Sequence, residues 1–319
     1  MKPEHHPNGH DQHRFNLSHK EKRPFQSWFQ SFFYQDRTWA IIFLLPHLVL
    51  FCAFMLFPVV GSFLLSFTQW DLIGDIEWVG SSHYVALLND AVFVEVFWNT
   101  IYFTVVSVPI GICLSLVLAV ALNQKIRGIK FYRVAYFLPV ISSMVAVAVI
   151  WQWIYNPEYG LFNFLLSVVG IDGPNWLSSE TWAMPAIILT SIWKGIGFNM
   201  LIFLAGLQGI PDNYYEAADL DGASMVQKFL HVTLPLLAPT TFFVTIMSVI
   251  NSFQVFDTVY LMTGGGPGRS SSVIVHYLYQ NAFEYFKMGY ASAMAYVLFF
   301  LVFIFTIIQF WRHKKKSVY

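Results

Sequence analysis

The chain has 319 residues, 56% hydrophobic and 11% charged, and its mean hydropathy is +0.55. Soluble domains run nearer ~45–50% apolar and ~25% charged, so this composition excludes a water-soluble enzyme, a disordered scaffold and a nucleic-acid binder in favour of a membrane protein. The 18 basic and 18 acidic side chains cancel, so net charge points to no polyanionic partner and the placement of each sign carries the information.

Residues 1–38 form a polar tail with five of the ten histidines, His5, His6, His10, His13 and His19. None of them pairs with another beside a carboxylate on a predictable helix face, so a solvated tail is expected rather than a metal site. The stretch from Phe25 to Tyr34 sets Trp28 and four phenylalanines among polar residues, the pattern of an interfacial helix.

A helix crosses the ~30 Å hydrocarbon core with about 20 mostly apolar residues. Six runs qualify: 39–68, 100–123, 134–155, 183–210, 236–262 and 288–311. The expected fold is an all-α membrane protein of six spans, with a transmembrane domain over 39–312 and a short basic tail over 313–319. Pro46 and Pro58 in an overlong first run predict a kink. That run is too long and begins too far into the chain for a cleaved signal peptide, so it is expected to be retained. Cys52 and Cys113 lie in apolar runs and read as small buried hydrophobes, not as a disulfide or thiolate site.

Lys and Arg set the orientation. The tail before the first span holds six, the connector after the second holds four (Lys125, Arg127, Lys130, Arg133), and the C-terminus holds four (Arg312, Lys314, Lys315, Lys316). The connectors after spans one and three hold none. Both termini are therefore expected in the cytoplasm, and so is the segment from Pro211 to Pro235, although it carries Asp212, Glu216, Asp219 and Asp221 against Lys228 alone. An acidic, alanine-rich cytoplasmic loop serves some end other than orientation.

The usual catalytic motifs are missing from the sequence. It holds no HExxH, no GxSxG and no GxxxxGK[ST], so no catalytic residue, metal site or nucleotide site of its own is expected. A secondary transporter or channel carries several ionisable residues deep in its spans; here there are Lys194 and Asp257. Uphill transport by this chain would draw its energy from another subunit.

The loop reads IPDNYYEAADLDGASMVQKFLHVTLPLLAP. Pro211 with Asp212 or Asn213 signals a helix start, Tyr214 to Leu220 forms a short helix, Gly222 permits a sharp turn, and Ser224 caps a second helix running to about Val232. Ala217, Ala218 and Ala223 let another backbone come close. From these residues alone, a hairpin packed on its own protein is a better reading than a docking projection.

The spacing Glu216-Ala217-Ala218, Gly222, Val232 and Leu234-Pro235 resembles the EAA loop of the integral-membrane permeases of ATP-binding cassette importers, with valine in place of the usual isoleucine. The stretches FLPVISSMVAVAVIWQWIYNPEYGLFN and VFDTVYLMTGGGPGRSSSVIVHYLYQNAF resemble the carbohydrate-uptake branch, and the likeness covers about residues 38–312. The chain is most similar to a six-span first sugar permease. The resemblance implies a loop that couples to a cytoplasmic ATPase through Glu216, Ala217, Ala218, Asp221, Gly222 and Ala223. It also implies a second permease, two ATPases that use the ATP and Mg, a solute-binding protein outside, a sugar as cargo, no nucleic acid, and residence in a prokaryotic plasma membrane.

Lys194 lies too deep in span four to reach the near interface easily, so it is expected to face a wet cavity or a partner. Ser191, Gly195, Phe198 and Asn199 accompany it, and Ser248, Asn251 and Ser252, with Gln254 nearby, form a second polar patch in span five. Planar polar groups and aromatic rings suit a sugar, while interhelix hydrogen bonding serves the same residues equally well. Lys194 also suits an acidic sugar or a glycerol phosphate. The turn Thr263 to Gly268 cannot sit in lipid and is expected at the outer boundary, there to cap the pathway or meet the solute-binding protein. The acids of the first outer loop, Asp71, Asp75, Glu77, Asp90 and Glu95, offer that protein a second contact.

Overall fold

The computed structural model describes residues 36–124 and 127–316. The histidine-bearing tail, the interfacial helix expected at Phe25 to Tyr34, Lys125 and residues 317–319 lie outside them. The chain divides into two units, residues 1–60 and 61–319.

In the first unit, α1 (Asp36–Phe51) passes into a π-helical turn (Cys52–Leu56), after which α2 (Phe57–Leu65) begins. Pro58 stands two residues past the π turn, where the shifted ladder spares its ring the usual clash with a carbonyl four residues back. The helical stretch Trp39–Leu65 has the length and apolarity of a span. Phe43 and Phe54 are 75% and 78% exposed, as side chains bathed in lipid would be. Cys52 and, in the second unit, Cys113 are exposed rather than buried as expected; an apolar run that faces lipid has the same composition as one that faces a core.

The second unit opens with the only strands among the described residues, β1 (Thr68–Gln69) and β2 (Glu77–Trp78), an antiparallel hairpin pairing Thr68 with Trp78. After α3 (Ser82–Asn89), Asp90 caps α4 (Ala91–Leu122) by accepting from the Val92 backbone N–H at 2.9 Å. The same carboxylate accepts from the hydroxyls of Tyr277 at 2.9 Å and Tyr290 at 2.6 Å. The second span thus starts at residue 91, ahead of the expected 100, because an anchored cap begins the helix and Glu95 stays exposed on it.

The third span is broken. α5 (Ile129–Ile141) and α6 (Met144–Ile154) meet at 101°, where a single run over 134–155 was expected. Ser142 and Ser143 are both extended, with ψ of 142° and 136°, and the Ser142 hydroxyl donates to the Leu138 carbonyl at 2.9 Å. A serine that satisfies a nearby carbonyl with its own side chain competes with the helix ladder.

Beyond α7 (Leu161–Val168), α8 (Ala183–Gln208) matches the fourth expected span to within two residues at its end. Then come α9 (Asn213–Leu220) and α10 (Met225–Lys228), the latter continuing through a π turn (Phe229–Thr233) into α11 (Leu234–Leu236). Pro235 again follows its π turn by two residues, so the helix does not stop before it as expected. At Leu237 the chain bends by 66° into α12 (Ala238–Phe253). The fifth span ends there and not at 262; Asp257 opens a separate α13 (Asp257–Met262). α14 (Ile274–Tyr279) and α15 (Met288–Lys316) complete the unit. Among the described residues, four helices are individually long and apolar enough to cross a membrane, and six crossings result if each bent pair counts as one.

α4 and α8 form the central pair. Ala119, Leu122, Met200, Phe203, Leu204 and Leu207 bury one end of it with Leu237 and Val244 of the next bend. Phe103, Ile187 and Ile192 bury the other end with Val259 and Val273. Serine joins the pair midway: the Ser115 hydroxyl donates to the Ile196 carbonyl at 3.1 Å.

Candidate functional site

Two features stand out, a cavity among the helices and an elbow at one end of two of them. The cavity has a volume of about 580 Å³, within the ~300–1,000 Å³ of small-molecule sites. α8 supplies one wall, and the end of α12 with the segment 254–258 after it supplies another; Phe103, Ser107, Val108 and Gly111 come from α4, and Val140 and Met144 from either side of the break in span three. Every residue singled out in the sequence lines it: Ser191, Lys194, Gly195, Phe198, Asn199, Ser248, Asn251 and Ser252. Gln254, Phe256 and Asp257 line it as well.

The polar residues fall into two groups. Asn199 Nδ2 donates to Ser248 Oγ at 3.2 Å, tying α8 to α12. Ser252 Oγ lies 2.8 Å from the Val249 carbonyl and 3.0 Å from Thr104 Oγ1, tying α12 to α4. These three hold walls together, as polar side chains do between membrane helices. Asn251 and Gln254 are exposed and their side chains have no hydrogen-bond partner among the described residues, and Phe198 is 43% exposed. Ser191 Oγ is buried and unpaired. This second group keeps unpaired polar atoms and ring surface.

Lys194 stands apart. Its Nζ donates to the carbonyls of Ser142 at 2.8 Å and Pro139 at 3.1 Å. Both belong to the end of α5, so the ammonium caps the broken span. Sequence reasoning gave Lys194 a wet cavity or a partner and missed this contact, since the carbonyls exist as free acceptors only once the span breaks. Phe103, Val140 and Met144 were also missed; the Ser142-Ser143 pair after Pro139 was the available sign.

The elbow is built from local hydrogen bonds. α9 ends in a Schellman turn, with Ala223 N–H donating to the Ala218 carbonyl at 2.9 Å and Gly222 N–H to the Asp219 carbonyl at 3.1 Å. Gly222 takes φ +74°, the left-handed region that glycine enters without cost from a Cβ. Ser224 then starts α10 with a capping box: Gln227 N–H donates to its hydroxyl, and its own N–H donates to Gln227 Oε1 at 2.8 Å.

Two struts cross the turn. Lys228 pairs with Asp219, and the Tyr215 and Thr233 hydroxyls bond at 3.0 Å. The exposed ion pair contributes little. Tyr215→Phe is expected to lower stability by about 1 kcal/mol, the usual worth of such a bond, read as a drop in the thermal midpoint of the purified chain; an unchanged midpoint would remove the strut from the account. Glu216, Ala217, Asp221 and Gly222 are exposed, while Ala218 and Ala223 are half-buried against the turn. Leu220, Met225 and Val226 are 91%, 83% and 66% exposed, a bare apolar tip that water alone does not favour.

The outer-end turn is equally closed. Ser271 donates to the Gly266 carbonyl at 2.7 Å, and Asn99 Nδ2 on α4 donates to the carbonyls of Arg269 and Ser272, each at 3.0 Å.

Comparison with known proteins places this geometry. The family described as binding-protein-dependent transport system inner membrane component matches residues 93–318. The arabinooligosaccharides transport system permease protein AraP of Bacillus subtilis (strain 168) is 36% identical over 289 residues, covering 89% of this chain and 91% of that one. The trehalose/maltose transport system permease protein MalF of Thermococcus litoralis is 36% identical over 278 residues, 86% of this chain and 93% of its own. A crystal structure of a bacterial ABC transporter involved in the import of the acidic polysaccharide alginate contains a chain of the same fold, with TM-score 0.78 and 24% identity over 92% of this chain and 99% of that one. The chain is a multi-pass membrane protein and belongs to the family of binding-protein-dependent transport system inner membrane components.

Proposed function

We propose that the chain is one of two permease subunits of an ATP-binding cassette importer, that its cavity is part of the pathway for a neutral sugar or oligosaccharide, and that its elbow receives the stroke of a cytoplasmic ATPase. One observation carries the reading: the elbow joins α8, which supplies one wall of the cavity, to α12, which supplies another together with the segment 254–258 that follows it. A push on a stiff elbow therefore acts on both walls at once, whereas a flexible loop would absorb it. The bare tip of Leu220, Met225 and Val226 supplies the apolar contact for a cleft on the ATPase. ATP and Mg belong to that partner, since the sequence offers no P-loop.

The choice of a neutral sugar rests on the guest-facing groups. Asn251 and Gln254 satisfy hydroxyls, Phe198 and Phe256 stack on apolar sugar faces, and relatives are named for oligosaccharide and disaccharide transport. An acidic cargo would need a free cation, but Lys194 is engaged by two carbonyls and Asp257 lines the same space. A solute-binding protein on the outer side delivers the cargo, and both termini lie in the cytoplasm.

The experiment is reconstitution of the chain with its second permease, ATPases and solute-binding protein in liposomes. Uptake of neutral oligosaccharides is expected only with ATP inside, and Asn251→Ala is expected to raise KM by about ten-fold, the effect of roughly 1.4 kcal/mol of lost binding. Solute accumulation by this chain alone would sink the importer reading, and unchanged KM in Asn251→Ala would move the solute contacts elsewhere.

A further inference from the structure

We propose that Lys194 is a positioning residue of the pathway: its ammonium staples the broken third span to α8 and so fixes the wall that Val140 and Met144 give the cavity. The inference rests on reading the cavity as a solute path, but its physical core is independent of the solute. A helix that stops leaves its last carbonyls without ladder partners. At the end of α5 the Leu138 carbonyl is taken by the Ser142 hydroxyl, and the Pro139 carbonyl receives the Ser142 N–H at 3.3 Å. The Ser142 carbonyl, at the bend itself, takes the Lys194 ammonium at 2.8 Å, and Pro139 shares it at 3.1 Å. A cation at the carbonyl end of a helix also meets the favourable end of its dipole.

The competing account makes Lys194 a counter-charge for Asp257, which lines the same cavity. Among the described residues no carboxylate lies within ion-pair distance of Lys194, the one such pair being Lys228 with Asp219. The carbonyls are therefore its direct partners. Val140 and Met144 flank the break, so freeing α5 from α6 would move both of these lining residues.

The test reads the break directly. The assembled importer is placed in lipid nanodiscs with Cys52→Ser, Cys113→Ser and a single Met144→Cys, and the rate of modification by a charged maleimide is measured without solute or ATP. Lys194→Met is expected to speed labelling about five-fold, the factor carried by leaving one carbonyl, that of Ser142, unpaired, since the Pro139 carbonyl keeps the Ser142 N–H. Lys194→Arg keeps donors and charge and is expected to stay within about two-fold of the parent on the same scale. The double variant Lys194→Met, Asp257→Asn is expected to label as fast as Lys194→Met alone.

A parental rate in Lys194→Met, or its return in the double variant, overturns the staple. Should Lys194→Met fail to assemble, Lys194→Gln decides: a faster rate supports the staple and a parental rate overturns it. Because labelling needs neither cargo nor nucleotide, it stands or falls separately from the transport reading.

Discussion

Gly222→Val is expected to lower ATP-driven uptake by at least about ten-fold, which corresponds to roughly 1.4 kcal/mol, while the chain still inserts and folds. A Cβ at this position would meet nothing within 4 Å, so steric collision within the chain is not the cause. The cause is φ +74°, a region where a β-branched residue costs of order 1–3 kcal/mol. The chain escapes that cost by opening the Schellman turn, and with it the bonds from Gly222 to Asp219 and from Ala223 to Ala218. The angle between α9 and α10 is then no longer fixed. Gly222→Asn is the control, since asparagine tolerates the left-handed region, and it is expected to retain more uptake than valine. Uptake in proteoliposomes and co-purification of the ATPase subunits are the two readouts. If valine leaves both at the parental level, the elbow is not a rigid lever and the coupling argument fails.

The elbow was readable in the sequence because every signal that makes it is local. Pro211, Gly222 and Ser224 act within a few residues of themselves, and the structure realises each as a helix start, a turn or a helix cap, to which Gln227 adds the second half of a capping box. α8 was readable for a similar reason, its apolar run having clear ends. The third span was not. Its composition is apolar through Ser142 and Ser143, and its break is held by Lys194, a residue 52 positions later in the chain. The start of the second span was misplaced because Glu95 interrupts the uncharged run and Asn99 the apolar one, although both sit on a helix anchored at Asp90. The cavity residues were found by type, but type could not divide them. Asn199 and Asn251 look alike in sequence, and only the packing of α8 on α12 commits the first to Ser248 and leaves the second facing the cavity.

Gly195 and Gly197 provide the second large effect, because two glycines one residue apart on the same helix are expected to behave oppositely. At Gly195 a Cβ would meet nothing within 4 Å, for the position opens on the cavity. At Gly197 a Cβ would lie 2.1 Å from the Tyr136 carbonyl oxygen, 2.9 Å from its carbon and 3.1 Å from the Phe137 Cα. All three are backbone atoms of α5, so no side chain can swing aside; the whole helix has to move. Small residues allow such close approach between membrane helices, and overpacking a close contact costs typically about 1–3 kcal/mol, occasionally more.

Gly197→Ala is therefore expected to lower the thermal midpoint of the detergent-purified chain by several degrees, at about 2–4 °C per kcal/mol for a chain approaching this size. Gly197→Leu is expected to prevent recovery of folded protein. Gly195→Ala is expected to leave the midpoint unchanged, whatever it does to transport. The contrast bears on the cavity itself, since α5 carries both the carbonyls that Lys194 caps and the Val140 wall. If Gly197→Ala proves as stable as the parent, α5 does not pack on α8 at this distance, and the placement of the break beside Lys194 has to be abandoned with it.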